Sequence, residues 1–342
     1  MNRKSFLKKS SVLTAGFFIT HDLFAKDKGP VYGHNNMRYT MDKKWSKANP
    51  LKTPVNDCHE MVQDANGRIF LLTNETKNNI LIFNTAGKLL KTWGHQFPGG
   101  HGLSIANENG TEFLFITDTV KHQVYKTTLN GEILLTINAP FDAGIYKKSE
   151  EFIPTEVAID DNNGDFFIAD GYGSQYVLHY DKSGKLISYF GGKGEENKHL
   201  ENAHGICIDR RNTKLTLLVT DRTRNCFKRF SMDGNLMEII PVPGACVCRP
   251  VIKNDYLYAA VLRSPDINQV GTGFTTILDK ENKVISNPGG TEPIYKDGML
   301  QPLSQADKIF IHPHDVFIDN DENLYVAQWS SGKVYPYKFK RV

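Results

Sequence analysis

Hydrophobic and polar positions in this chain follow one figure that returns five times. The stretches opening at His59, His101, Thr155, His204 and His314 each run from a polar start through an apolar strand, an Asp/Asn/Gly-rich turn and a second apolar strand. A third apolar run follows each, at 80–83, 124–127, 176–180, 227–230 and 334–339. Four repeats then carry a Gly turn and a fourth run, at 87–94, 131–137, 184–192 and 234–240. Short apolar runs cut by turn residues predict strands, and four antiparallel strands per repeat predict one propeller blade. The openings lie 42, 54, 49 and 110 residues apart, so the last interval holds one more, degenerate blade near Arg249, and the count becomes six. Only 28 residues follow His314, enough for three strands; residues 36–45 are the natural donor of the fourth and would close the ring. The expected fold is all-β, a six-bladed propeller over 55–342 preceded by a ring-closing segment, 26–54. A solenoid would need capping repeats and no such donor.

In a propeller the first strand of each blade lines the central channel, so equal register positions face one another across the axis. The opening position reads His59, His101, Thr155, His204, a residue near Arg249, and His314. His101, His204 and His314 fall on blades two, four and six, a third of a turn apart, and three histidines with an open position is the arrangement of catalytic zinc. A single histidine at a strand start is ordinarily a turn or core residue. Recurrence in one register is what sets these apart, and Thr155 shows that the fold does not demand histidine there. His59 shares the register, and His312 precedes His314 by two residues, on the same side of an extended strand. Both are candidates for an added ligand or a base, His312 equally for a solvated imidazole. His122, His179 and His199 fall outside the register. A second register follows the second strand, with Asn74, Asp118, Asp170, Asp221 and Gln328, read as structural acceptors for turn amides. Just beyond it, Tyr172 and Arg222 sit on loops above the channel, within reach of a bound ligand.

Composition changes this picture at the N-terminus and in what it excludes. Arg3, Lys4, Lys8 and Lys9 precede a modest apolar stretch, 11–20, and Leu23-Phe24-Ala25 offers a small-residue cleavage point. That is an export signal over 1–25, too short to span a bilayer, of Sec type or twin-arginine-like with one Arg replaced by Lys. The mature chain is expected outside the cytoplasm, periplasmic or secreted, with no transmembrane segment. Forty-one basic residues against 38 acidic ones, mixed in sign throughout, make no basic stripe and speak against nucleic acid. Five cysteines, Cys58, Cys207, Cys226, Cys246 and Cys248, leave at least one unpaired and read mostly as small buried residues.

The stretches around His101, Pro154 to Tyr172, Ala203 to Arg222, and Pro313 to Asp319 resemble the lyase domain of peptidylglycine α-amidating enzymes, itself a propeller of the NHL-repeat type. The resemblance runs from about residue 55 to the end and is weak in blades one and five. It implies zinc on His101, His204 and His314. It implies a structural calcium on the Asp315 side chain with backbone carbonyls near Leu103 and Met61. Tyr172 would be the catalytic base, a tyrosinate whose pKa is lowered by zinc and a nearby arginine, and Arg222 one of two arginines that grip a substrate carboxylate. The chain departs from the pattern at three places. Asn74 stands where the second arginine is expected, His312 replaces a methionine beside the third zinc ligand, and His59 is added. Arg249 or Arg224 could supply the replacement cation. The reading is an exported zinc lyase with an altered small-molecule, glycan or peptide substrate. Two alternatives stand beside it: a non-catalytic propeller that binds a glycan or protein, and a lyase or hydrolase acting on a sugar derivative. A propeller lactonase with central calcium ranks last, because Ca²⁺ wants an oxygen-rich axis.

Overall fold

The computed structural model describes residues 29–342; the export signal expected over 1–25 lies outside them. Six antiparallel sheets stand around one axis, with first strands innermost. Blade one holds Cys58–Gln63, Ile69–Thr73, Ile80–Phe83 and Leu89–Trp93; blade two Gly100–Glu108, Thr111–Asp118, Gln123–Thr128 and Ile133–Ile137. Blade three runs from Glu156–Ile159 to Leu186–Gly191, blade four from Ile206–Asp209 to Leu236–Pro241, and blade five from Val251–Lys253 to Val284–Ser286. Blade six is built from Pro313–Ile318, Leu324–Gln328 and Tyr337–Arg341, and its fourth strand is Met37–Asp42. The N-terminal donor thus closes the ring, as the strand count required. It brings a further strand, Val31–His34, whose His34 amide donates to the Ser286 hydroxyl of blade five (2.8 Å) and ties the closure to a second blade.

Strand burial explains the repeat. Inner strands such as Ile69–Thr73 and Thr216–Asp221 are buried throughout and read as continuous apolar runs, whereas outer strands such as Ile133–Ile137 are largely open. Aromatic rings fill the wedges between blades: Phe115 meets Phe166 at 5.1 Å and Phe190 meets Phe230 at 4.9 Å. Trp45 locks the closure, packing on Phe83 of blade one and Tyr325 of blade six while its Nε1 donates to the Thr85 carbonyl (3.0 Å). Burial of one such ring is worth about 1.5–3 kcal/mol. The second-register residues take the structural role expected. Asp118 accepts from the Val120 and Lys121 amides, Asp170 from Ile153 and Ser174, Asp221 from Glu201, Gln328 from Ile311 and Asn74 from Asp57. All five cysteines are free thiols, and Cys207 alone is not fully buried. No helix among the described residues is long and apolar enough to cross a membrane.

Blade five corrects one detail of register. Its first strand begins after Arg249, and the position level with the histidines is Cys248, whose amide bonds to Ala260 of the second strand. Arg249 therefore belongs one layer deeper, beside Glu60, Gly102, Glu156, Gly205 and Asp315.

Candidate metal centre at the propeller axis

Four imidazoles gather at the axis because four inner strands open on histidine in one register. The ring centroids of His101, His204 and His314 lie 4.8 Å from one another on all three sides. His59 adds a second triangle on the His101–His314 edge, with centroids at 5.0 and 4.8 Å. Ring nitrogens of His59, His101 and His314 all fall within 4.8 Å of one another. Nitrogens on a tetrahedral zinc stand about 3.3 Å apart, so the rings would close in by up to about 1.5 Å per pair to hold one. That nitrogen set differs from the expected triad in holding His59 in place of His204, whose ring centroid stands 4.8 Å from those of His101 and His314.

Hydrogen bonds fix the tautomers. His101 Nδ1 faces the Thr155 carbonyl at 2.9 Å and His314 Nδ1 faces the His59 carbonyl at 3.3 Å, so each Nδ1 carries the proton and each Nε2 presents a lone pair. Donation of the second nitrogen to a carbonyl is how proteins orient metal-ligating histidine. Both nitrogens of His204, and Nδ1 of His59, are buried with no hydrogen-bond partner. Such orphans cost about 1–3 kcal/mol each unless something answers them. Burial holds the imidazoles neutral: His59 is pushed down to about 3, and His101, His204 and His314 fall well below the ordinary range, with neighbouring ring members and Arg222 adding to the burial effect. Neutral imidazoles with inward lone pairs and no carboxylate among them fit zinc or another imidazole-binding ion.

Above the ring lies a chamber of about 370 Å³ walled by Tyr172, Arg222, Leu262, Arg263, Trp329 and Asn74. The Tyr172 hydroxyl stands 3.2 Å from His101 Nε2, and 39 % of the residue is exposed. Burial pushes its phenol up, while the hydrogen-bonded Arg222 guanidinium pulls the other way. Protein groups alone thus do not give the lowered phenol the resemblance implies. Arg222 is buried, donating to the Cys248 thiol (3.1 Å) and the Val247 carbonyl (3.3 Å), with no carboxylate partner. Asn74 cannot serve a ligand freely, since its amide is engaged with Asp57 and Asn56. His312 is held apart: Nε2 accepts from the Gly271 amide and Nδ1 faces the Ser330 carbonyl, both at 3.3 Å.

Neither replacement cation named from sequence faces the chamber. Arg224 is spent on Asp221, Glu201 and the His199 and Gly194 carbonyls. Arg249 lies under the ring and grips the atoms named for calcium: its Nε and Nη2 donate to the two Asp315 oxygens (3.0 and 2.9 Å), Nη1 to the Leu103 carbonyl (3.0 Å) and Nη2 to that of Met61 (3.2 Å). The calcium donor set is assembled, but its oxygens are already taken, so it does not fit an added ion. Sequence reasoning missed Arg263. It lies just past the second strand of blade five, one residue further out than Arg222 stands past that of blade four, a placement hidden by the degeneracy of that repeat. Its Nε is buried without a partner at the chamber wall.

No family model matches the chain. It is 38 % identical over 111 residues to peptidyl-alpha-hydroxyglycine alpha-amidating lyase 1 of Drosophila melanogaster, which covers 31 % of this chain and 19 % of that protein. Lyase 2 of the same organism is 33 % identical over 114 residues, 32 % of this chain and 27 % of that one. The chain thus spans about a quarter or less of the length of these relatives. NHL repeat-containing protein 3 of Mus musculus is 24 % identical over 313 residues, 87 % of this chain and 84 % of that protein. Among solved structures, a streptogramin B lyase matches with a TM-score of 0.58 at 12 % identity over 88 % of this chain and 97 % of its own. Virginiamycin B lyase from Staphylococcus aureus matches at 0.54 and 14 %, over 93 % and 97 %. The fold is a six-bladed propeller, and the sequence relatives are amidating lyases and an NHL-repeat protein.

Proposed function

We propose that this chain is an exported, metal-dependent lyase of the amidating-lyase type, with zinc on His101, His204 and His314 and a substrate other than the usual peptidyl-hydroxyglycine. The observation that carries the reading is the neutral four-histidine ring with unanswered inward nitrogens directly beneath a chamber that holds a phenol and two guanidinium groups. Bound zinc would supply Lewis-acid polarisation of a substrate hydroxyl or carbonyl. Tyr172, as phenolate, is placed to take the proton of that hydroxyl as the hydroxyl carbon becomes a carbonyl and its bond to the leaving group breaks, and to return that proton to the leaving group, with Arg222 lowering the cost of the phenolate.

Arg222 and Arg263 give the chamber a cationic wall with no acid of its own, which suits a small molecule or peptide bearing a carboxylate. Arg263 takes over the role lost at Asn74 but approaches from blade five, so the carboxylate must lie elsewhere relative to the reacting carbon. That shift is the physical basis for an altered substrate.

The test is elemental analysis of the purified protein, followed by Tyr172→Phe. About one equivalent of zinc, retained in Tyr172→Phe with turnover lost, supports the lyase. Protein without stoichiometric metal sinks it and leaves a binding propeller in its place.

A further inference from the structure

Directly beneath the imidazoles, each inner strand contributes the residue after its ring position. Three of these are acids: Glu60 follows His59, Glu156 follows Thr155 and Asp315 follows His314. All three are fully buried, and with the Leu103 and Met61 carbonyls they make the oxygen-rich set that divalent calcium takes. At its centre stands the guanidinium of Arg249, paired to Asp315 at 2.9 Å, Glu60 at 3.3 Å and Glu156 at 3.7 Å. Of the two remaining positions, Gly205 makes room for this residue, since a Cβ there would come within 2.5 Å of the Arg249 Cα; the other is Gly102.

We infer that Arg249 replaces a structural divalent cation, so that this chain carries its axial cation as a side chain and needs no calcium. One guanidinium ties blades one, two, three and six to blade five, and each tie lies within two residues of a ring position. Arg249 is thereby a positioning residue for the histidines above it. A planar fork with five donors can satisfy carboxylate and carbonyl oxygens in several directions at once, which a lysine point charge cannot. The layer also closes the channel: on its far side Arg249 forms part of the floor of a second opening of about 620 Å³, which is thereby separated from the histidine chamber.

The test is thermal melting and calorimetric titration with calcium chloride, against buffer freed of calcium by a chelating resin, on the full chain loaded with zinc throughout. Wild-type protein should melt at the same temperature in both and show no heat of calcium binding. Arg249→Ala leaves three buried carboxylates without a cation; in the calcium-free buffer it should melt about 10 °C lower. Calcium should then bind and restore at least half of the loss, magnesium far less because it resists such an irregular, dehydrated cage. Arg249→Gln, which keeps volume and amide donors without the charge, stands in if the alanine chain is insoluble and should gain from calcium likewise. Zinc affinity of either variant should fall in the calcium-free buffer and recover with calcium, which a role confined to stability would not produce. Calcium binding by the wild type, or cation-less variants that calcium does not raise, overturns the inference; neither result depends on the chain being a lyase.

Discussion

Two adjacent layers of one channel meet the same problem in opposite ways. Both are buried, both are built by the same inner strands, and both hold groups that water would otherwise satisfy. The histidine layer keeps its members uncharged, with lone pairs and ring N–H groups partly unanswered. The layer below holds its acids against an internal cation, and those carboxylates carry the Arg249 guanidinium up despite burial, so it stays charged. The lower layer carries a cation of its own, although Glu60 Oε1 and Glu156 Oε2 keep no hydrogen-bond partner, whereas the upper layer has no internal counterpart and is arranged for something from outside. Depth in a channel therefore does not decide function; the charge balance of each layer does.

The sharpest way to break the contrast is to unbalance the lower layer. Asp315 takes two guanidinium bonds and also accepts from the Met61 amide at 2.9 Å. Asp315→Ala strands a buried charge and should cost about 3–5 kcal/mol, read by urea unfolding in the presence of chelator. A loss under 1 kcal/mol would mean that the pair is as weak as a surface bridge. The same deletion in the upper layer should act on metal, not on folding. His204→Ala removes an imidazole that has no hydrogen bond to lose, so the chelated protein should unfold nearly as the wild type does. Its zinc affinity should fall by at least about 100-fold. Equal affinity would transfer the site to His59, His101 and His314, the other triangle of the ring.

The chamber wall offers a smaller effect. Arg263→Gln should raise KM for a carboxylate substrate by about tenfold or more, the loss of one charged hydrogen bond, and leave a neutral analogue unchanged. Because Arg263 and Arg222 line the same chamber, the paired substitution measures whether the two share one anion. Independent effects that simply add would separate them.

What the sequence made legible was what repeats. Blade number, ring closure by 36–45, the histidine register and the structural role of Asp118, Asp170 and Asp221 all follow from a period. What it hid was what happens where the period decays. Blade five lacks the His/Thr opening, so Cys248 could not be placed level with the ring or Arg249 beneath it, and Arg263 could not be placed at the chamber wall. The acids Glu60, Glu156 and Asp315 were readable as a second axial register, one residue after the first, but they point to calcium until the arginine among them is seen. His312 shows the other limit: alternation along a strand placed it beside His314, yet a bulge in the pairing between Pro313 and Asp315 breaks that alternation and sends the ring to the Gly271 and Ser330 backbone.

The smallest expected effect tests neutrality in the upper layer directly. His59 is pushed down to about 3 in the fold by burial, whereas the unfolded chain titrates it near its ordinary value of 6.5. Between those values the unfolded state binds the extra proton, so stability must fall as pH falls below 6.5 and be unaffected above it. The slope for one such imidazole is about 1.4 kcal/mol per pH unit. Replacing His59 with Gln should remove that share of the slope between pH 6.5 and 5.5 in chelated protein, measured by urea unfolding at each pH. The removal will be incomplete if protons on neighbours already suppress one another, since His59 itself lowers His101 and His314 by charge repulsion. Identical slopes in both chains would mean that His59 is hydrated in solution, and the upper layer would then be an open funnel instead of a dry ring.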